Sequence, residues 1–266
     1  MPELPEVETT RRILEPHLLG QKIGRIKHQD PHKYRRTDLA QGRTVVSAGR
    51  RGKFLIFGLD KNLELIVHLG MTGGFRFEPA SHLRVTLELP KQRLYFTDAR
   101  RFGKWWVVDA GDYSGLPLLA KMGPEPLSSD FTPEKLQASL AKTRRTIKDI
   151  LLMQEAVAGV GNIYVDESLW QARIHPLRRA RSLKPGEIAR LHHAIRDVIG
   201  RALEKGGSTL SDNSYQQPSG EPGYFQHEHQ VYQRKGLPCL RCGTPIERIA
   251  VGQRGSHFCP RCQVNK

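Results

Sequence analysis

The sequence predicts an α+β fold: an N-terminal helix entering a β-sandwich, then a C-terminal helix–two-turn–helix domain and a four-cysteine ribbon. Three observations carry this expectation. Residues 22–112 break into short runs in which apolar and polar residues alternate between turn signals, as half-buried strands do. Residues 133–205 switch to apolar spacings of three and four, as amphipathic helices do. All four cysteines fall in two CxxC pairs close to the end of the chain.

In chain order, residues 5–20 read as a helix. Pro5 suits a first turn, Glu6 and Glu8 complement the positive helix end, and Val7, Leu14 and Leu18 share a face. Pro16 bends the last turn and Gly20 stops it. Strands are expected at Thr44–Val46, Phe54–Phe57, Leu63–Val67, Leu83–Leu89, Leu94–Phe96 and Trp105–Val108, with Gly70, Gly73, Gly74 and Gly103 marking turns. Strands so spaced make a sandwich or a flattened barrel. Gly123-Pro-Glu-Pro126 and Ser128-Ser-Asp130 interrupt the periodicity, which divides the chain into 1–120, a linker 121–132, 133–230 and a ribbon 231–266. Helices are expected over 133–142, 144–153, 163–173 and 185–205, the last with Ile188, Leu191, Ile195, Val198, Ile199 and Leu203 at helical spacing. Two of them flank the turn Ala158-Gly-Val-Gly-Asn162. Residues 206–230, which include Tyr215 and Tyr224, are polar and aperiodic: a functional lid or a disordered segment.

No run approaches the ~18 apolar residues a membrane helix needs, and the acidic first residues do not read as a signal peptide, so a cytoplasmic location is expected. The net charge is +15, with basic clusters at Lys33–Arg36, Arg50–Lys53, Arg100-Arg101, Arg144-Arg145 and Arg178-Arg179. Such a balance points to a polyanion, most commonly nucleic acid.

Four stretches carry chemistry. The first is Met1-Pro-Glu-Leu-Pro-Glu-Val-Glu8. Trimming Met1 ahead of a small residue would leave Pro2 as a secondary amine, beside Glu3 and four residues from Glu6. At pH 7 roughly a tenth of a terminal amine is neutral, against about one lysine in a few thousand. A secondary amine also gives an iminium with no N–H to lose, so the adduct stays an electron sink. The bland alternative is a frayed terminus. The second is Cys239-x2-Cys242 with Cys259-x2-Cys262, a spacing that closes a tetrahedral, structural zinc site and leaves no thiol for catalysis. The ribbon holding it is basic, with Arg254 in the turn between the pairs. The third is Gly159-Val-Gly-Asn162, where small residues admit a close partner and Asn162 suits a helix N-cap; an ordinary capped turn reads equally well. The fourth is a pair of turns, His68-Leu-Gly-Met-Thr-Gly-Gly74 and Asp98-Ala-Arg-Arg-Phe-Gly103, that place Met71 and Phe102 between glycines. Core packing is the ordinary explanation; beside arginines they could instead fill the hole left by an extruded base. Lys53 could neutralise a phosphate.

Taken together, the start of the chain, Val157-Ala-Gly-Val-Gly-Asn-Ile-Tyr164 with Asp166-Glu167, and the cysteine ribbon resemble the bacterial formamidopyrimidine-DNA glycosylase family over residues 2–263. Met153 departs from the Asp usual before Gln154, and Glu221 stands where some members carry Lys. The resemblance implies a base-excision-repair glycosylase and lyase acting on damaged double-stranded DNA as a monomer at the bacterial nucleoid. Its substrates would be oxidised purines, chiefly 8-oxoguanine opposite cytosine, and formamidopyrimidines. By the same resemblance Pro2 attacks C1′, Glu3 protonates the sugar ring oxygen, and Glu6 and Tyr224 lie at the flipped base. Lys53, His68, Asn162 and Arg254 clamp phosphates, the first and last counting with the catalytic set, while Met71, Arg100 and Phe102 fill the void. One structural zinc is the only cofactor implied. Two alternatives stay open: an endonuclease VIII-like enzyme for oxidised pyrimidines, and a non-catalytic DNA-binding module.

Overall fold

The computed structural model describes residues 1–265; Lys266, the last of the ribbon's basic residues, lies outside them. The chain forms two compact units, Met1–Ala120 with Leu203–Gln226, and Lys121–Ala202 with the residues from His227 onward.

In the first unit, α1 spans Leu4–Leu18 and starts where Glu3 is extended, φ −106° and ψ −167°. The Glu3 N–H donates to Glu6 Oε2 at 2.7 Å, satisfying a donor the helix itself cannot serve. Val7, Leu14 and Leu18 are buried on one face, as their spacing requires. Glu8 on the opposite side accepts from Arg11, Arg12 and, 42 residues away, Arg50, tying the helix to a strand. Burial raises the Glu8 pKa, but the bonds from Arg11 and Arg12 and the charges of Arg11 and Arg50 outweigh it and hold the carboxyl below its usual range.

Nine strands follow: β1 (Ile26–His28), β2 (Tyr34–Arg35), β3 (Val45–Arg51), β4 (Phe54–Leu59), β5 (Leu63–His68), β6 (Gly74–Arg76), β7 (Leu83–Glu88), β8 (Arg93–Thr97) and β9 (Lys104–Asp109). They make a four-stranded sheet, β1-β7-β8-β6, and a five-stranded sheet, β2-β9-β5-β4-β3. Trp105 of the second sheet lies 5.5 Å, centroid to centroid, from both Phe75 and Phe96 of the first. Each such ring buries roughly 150–250 Å², so this aromatic contact is a large part of what joins the faces into the sandwich the sequence predicts. All six expected strands are present. The strands β1, β2 and β6 were not expected, because two or three residues are too few to display an alternation.

After α2 (Pro117–Ala120), the second unit holds α3 (Pro133–Ala141), α4 (Ile147–Leu152), α5 (Asn162–Ala172) and α6 (Pro185–Glu204). The helix expected from residue 144 begins at 147, because the Thr146 side chain accepts from Asp149 N and caps it there. Asn162 is likewise not the cap expected: Gly161 occupies that position and Asn162 is the first helical residue, which releases its side chain. The ribbon is an antiparallel hairpin of β10 (Glu247–Val251) and β11 (Arg254–Phe258), so Arg254 opens a strand rather than sitting in the turn. Among the described residues no helix is long and apolar enough to cross a membrane.

Candidate functional site

The head of α1 gathers three of the expected residues. Pro2, Glu3 and Glu6 are all buried; with Met1 in place, the Pro2 nitrogen is an amide and Pro2 is not exposed. The second oxygen of Glu6, Oε1, accepts from Ser208 N at 2.7 Å. The backbone reaches Glu6 because Gly207 has φ +82°, and a Cβ there would fall 2.6 Å from that same oxygen. Residues 206–223, expected as a lid or as disorder, fold over the carboxylate. Thr209 Oγ1 donates to Tyr215 O and accepts from Gly223 N, at 2.9 and 2.8 Å. Arg76 donates to the carbonyls of Gln216 and Gln217 and to the Gln216 side chain. Burial, then the Glu6 charge, raises the pKa of Tyr215, so its hydroxyl remains a donor, to Gly206 O at 3.2 Å. Tyr224 is half exposed, and its N–H donates to Lys205 O.

The two turns after β5 and β8 form a second cluster. Gly70, at φ +73°, lies so close to Phe102 and Gly103 that a Cβ would meet their backbone. The carboxylate of Asp98, fully buried, accepts from Thr72 Oγ1 and from Gly103 N, each at 2.6 Å. Thr72 Oγ1 in turn accepts from Arg100 N at 3.0 Å. One carboxylate therefore ties both turns, which holds Met71 beside the exposed Arg100 and Phe102. The Arg100 guanidinium lies 5.2 Å from the Phe102 ring centroid, so two of the trio stack. Sequence reasoning missed Asp98 and Thr72 as supports, although both lie inside the quoted turns.

Lys53 occupies the hairpin tip between β3 and β4, and is buried. His68 ends β5 and accepts from Gly70 N through Nδ1 at 3.2 Å, which leaves its proton on Nε2. Burial, with the charges of Lys53 and Lys104, pushes its pKa down from 6.5 to about 4. The unfolded chain therefore takes up that proton first, and stability falls as pH drops from about 6.5 toward 4. A His68→Gln variant is expected to lose less melting temperature than the parent between pH 7 and 4.5; equal losses would contradict the assignment.

In the second unit, three side chains converge on the strand that Arg254 opens. Asn162 Nδ2 and Lys148 Nζ both donate to Gly255 O, at 3.1 and 3.0 Å. Lys148 also pairs with Asp166 at 2.7 Å, both side chains fully buried. Asp166 further accepts from Ser256 Oγ and His257 N, at 2.9 and 2.8 Å. The arrangement seats β11 against α4 and α5 and sets Arg254 next to Asn162, whose Oδ1 is buried without a protein partner. Lys148→Met should cost about 3–5 kcal/mol in chemical denaturation, because it leaves a buried carboxylate unpaired. The double variant Lys148→Met/Asp166→Leu should recover most of that loss.

The four sulfurs of Cys239, Cys242, Cys259 and Cys262 lie within 4.8 Å of one another, with Cys242 3.5 Å from both Cys259 and Cys262. Four ligands about 2.3 Å from a tetrahedral zinc are about 3.8 Å apart, so the set fits that ion. Trp170 Nε1 donates to Cys239 Sγ at 3.5 Å and Cys262 N to Cys259 Sγ at 3.4 Å, stabilising thiolates.

Three family profiles match in chain order: the formamidopyrimidine-DNA glycosylase N-terminal domain at 1–105, its H2TH domain at 122–214, and the zinc finger found in FPG and IleRS at 236–264. A formamidopyrimidine-DNA glycosylase of Thermus thermophilus is 55% identical over 263 residues, 99% of this chain and 98% of that one. The chain belongs to the formamidopyrimidine-DNA glycosylase family. The crystal structure of the MutM (Fpg) protein from Thermus thermophilus superposes with a TM-score of 0.97, at 54% identity and with both chains wholly covered. A MutM structure in complex with carbocyclic 8-oxo-G containing DNA has a TM-score of 0.90 at 39% identity, covering 99% of this chain and all of the other. As in the formamidopyrimidine-DNA glycosylase zinc-finger profile, the cysteine cluster is a structural zinc centre. Of the two departures from the family pattern, Met153 closes α4, its N–H donating to Asp149 O at 3.2 Å, and Glu221 is exposed with its carbonyl accepting from Gln217 N.

Proposed function

We propose that the chain is a DNA glycosylase and abasic-site lyase of base excision repair, which removes oxidised purines through a covalent adduct at Pro2. The carrying observation is the buried Glu3 and Glu6 carboxylates at the head of α1, directly beside Pro2. Once Met1 is removed, the Pro2 lone pair forms a bond to C1′ while the bond from C1′ to the base breaks, and the base leaves with the electron pair. Glu3 gives its proton to the ring oxygen as the C1′–O bond breaks, so the open sugar is an iminium on Pro2. That cation acidifies the C2′ proton. Its loss expels the 3′ phosphate, and a second elimination expels the 5′ phosphate, cutting the strand on both sides. Glu6, fixed by Glu3 N and Ser208 N, lies where the displaced base would be met, with Tyr224 contributed by the segment that folds over it. Residues 1–120 carry this chemistry in the proposed division, and 133–230 and 231–266 grip DNA, the zinc holding the ribbon's fold. Lys53 and His68 supply phosphate contacts from the first unit, and Asn162 and Arg254 from the second. Oxidised purines are favoured over oxidised pyrimidines because Met71 stands on a different turn from Arg100 and Phe102, whereas the endonuclease VIII group keeps such residues in one loop. We place the enzyme at the bacterial nucleoid.

Rates on 8-oxoguanine:cytosine and thymine glycol duplexes test the substrate class, and preference for thymine glycol would overturn it. Borohydride treatment with the 8-oxoguanine duplex tests the chemistry: a trapped protein–DNA complex is expected, and none would leave only a DNA-binding module. Affinity should also fall by about 0.9 log unit per phosphate contact for each log unit of salt, and a flat salt response would exclude the basic clusters as the footprint.

A further inference from the structure

The outer face of the five-stranded sheet carries a row of side chains unlike an ordinary solvent face. Strand pairing sets Phe54 opposite His68 and His68 opposite Lys104, while Arg35 and Ile66 both flank Trp106. Alternation puts this row away from the core, because Leu55, Val67 and Trp105 face inward. The Phe54 ring lies 4.8 Å from His68 and 6.3 Å from Trp106. With Phe102, 50% exposed, these side chains line a cavity of about 430 Å³. That volume is in the range of small-molecule sites. Its wall holds three aromatic rings and the cations Arg35 and Lys104, with a neutral His68 and no carboxylate. Flat apolar faces with cations at the edge suit a ligand that has both an aromatic ring and an anion.

We propose that this cavity takes one unstacked nucleotide of the bound DNA, adjacent to the position Phe102 enters, with its base against Trp106 and its phosphate between Arg35 and Lys104. The inference rests on the chain being a DNA-repair glycosylase, since Phe102 then opens the helix at the mouth of the cavity. A nucleotide displaced beside that wedge gains stacking and a phosphate contact in place of those it loses.

The test measures equilibrium binding to a duplex holding a tetrahydrofuran abasic analogue, which needs no base excision. Trp106→Leu is expected to weaken binding about tenfold, the loss of one base-stacking contact, while Trp106→Phe stays within about threefold. Arg35→Ala/Lys104→Ala should lower the salt slope by about 1.8, from 0.9 per lost phosphate contact. A 2-aminopurine scan of both strands should brighten at one position with the parent protein and not with Trp106→Leu. Unchanged affinity and slope in the variants would overturn the proposal. So would a free deoxynucleoside monophosphate that quenches the parent's tryptophan fluorescence while the variants bind DNA normally, since the cavity would then serve nucleotides and not the strand. Should Trp106→Leu lower the melting temperature, Trp106→Phe and the double cation variant still decide the matter. A parent protein that binds this duplex but releases no 8-oxoguanine would refute the glycosylase reading alone.

Discussion

Protein carrying a one-residue extension ahead of Pro2, or retaining Met1, is expected to form no borohydride-trapped complex with an 8-oxoguanine duplex and to lose base release by more than about a thousandfold. The effect is large because the nucleophile is removed rather than weakened: an amide nitrogen delocalises its lone pair into the carbonyl and cannot attack C1′. DNA affinity should change little, since the phosphate contacts proposed for Lys53, His68, Asn162 and Arg254 are untouched. N-terminal mass measurement on the same sample shows which form is present. Full activity from protein whose every molecule keeps Met1 would sink the mechanism while leaving the fold and the family membership intact.

Removing zinc should have the next largest effect. The ribbon is a two-stranded hairpin closed over Cys239, Cys259, Ile246, Val231 and Trp170, a core too small to hold without the metal. Structural zinc supplies about 10–16 kcal/mol in isolated fingers. Chelation, or Cys259→Ala at a fully buried ligand, should therefore unfold β10 and β11 and release Arg254 from the Gly255 anchor. DNA affinity should drop by about a hundredfold or more, with the second unit's helices retaining their circular dichroism. A zinc-free protein that binds DNA within a few-fold of the parent would show that the ribbon contributes little to the interface.

Much of the fold was legible because local patterns carried it. Alternation in Phe54–Phe57 and Leu63–Val67 marked strands, and the long apolar stripe of α6 marked a helix. The errors were local as well. A helix boundary moved to Thr146 because a side-chain cap competes with propensity, and Asn162 lost the cap to Gly161 because a backbone position, not a side chain, decided where the helix turned. Residues 206–223 looked formless because their partners lie far along the chain: Arg76 is 140 residues from Gln216, and Ser208 is 202 residues from Glu6. Periodicity cannot report such contacts.

The site divides in the same way. By itself the sequence determined the reactive groups: an amine-bearing start with Glu3 and Glu6, four cysteines at zinc spacing, and a surplus of positive charge. These depend on residue type and short spacing, which a chain displays without folding. Only the tertiary structure decided which groups hold them in place. Asp98 joins two turns, Lys148 and Asp166 seat the ribbon strand, and Gly207 brings a backbone N–H to Glu6. Such supports are common residues whose value comes from burial and from a partner remote in the chain, and both exist only once the chain has folded.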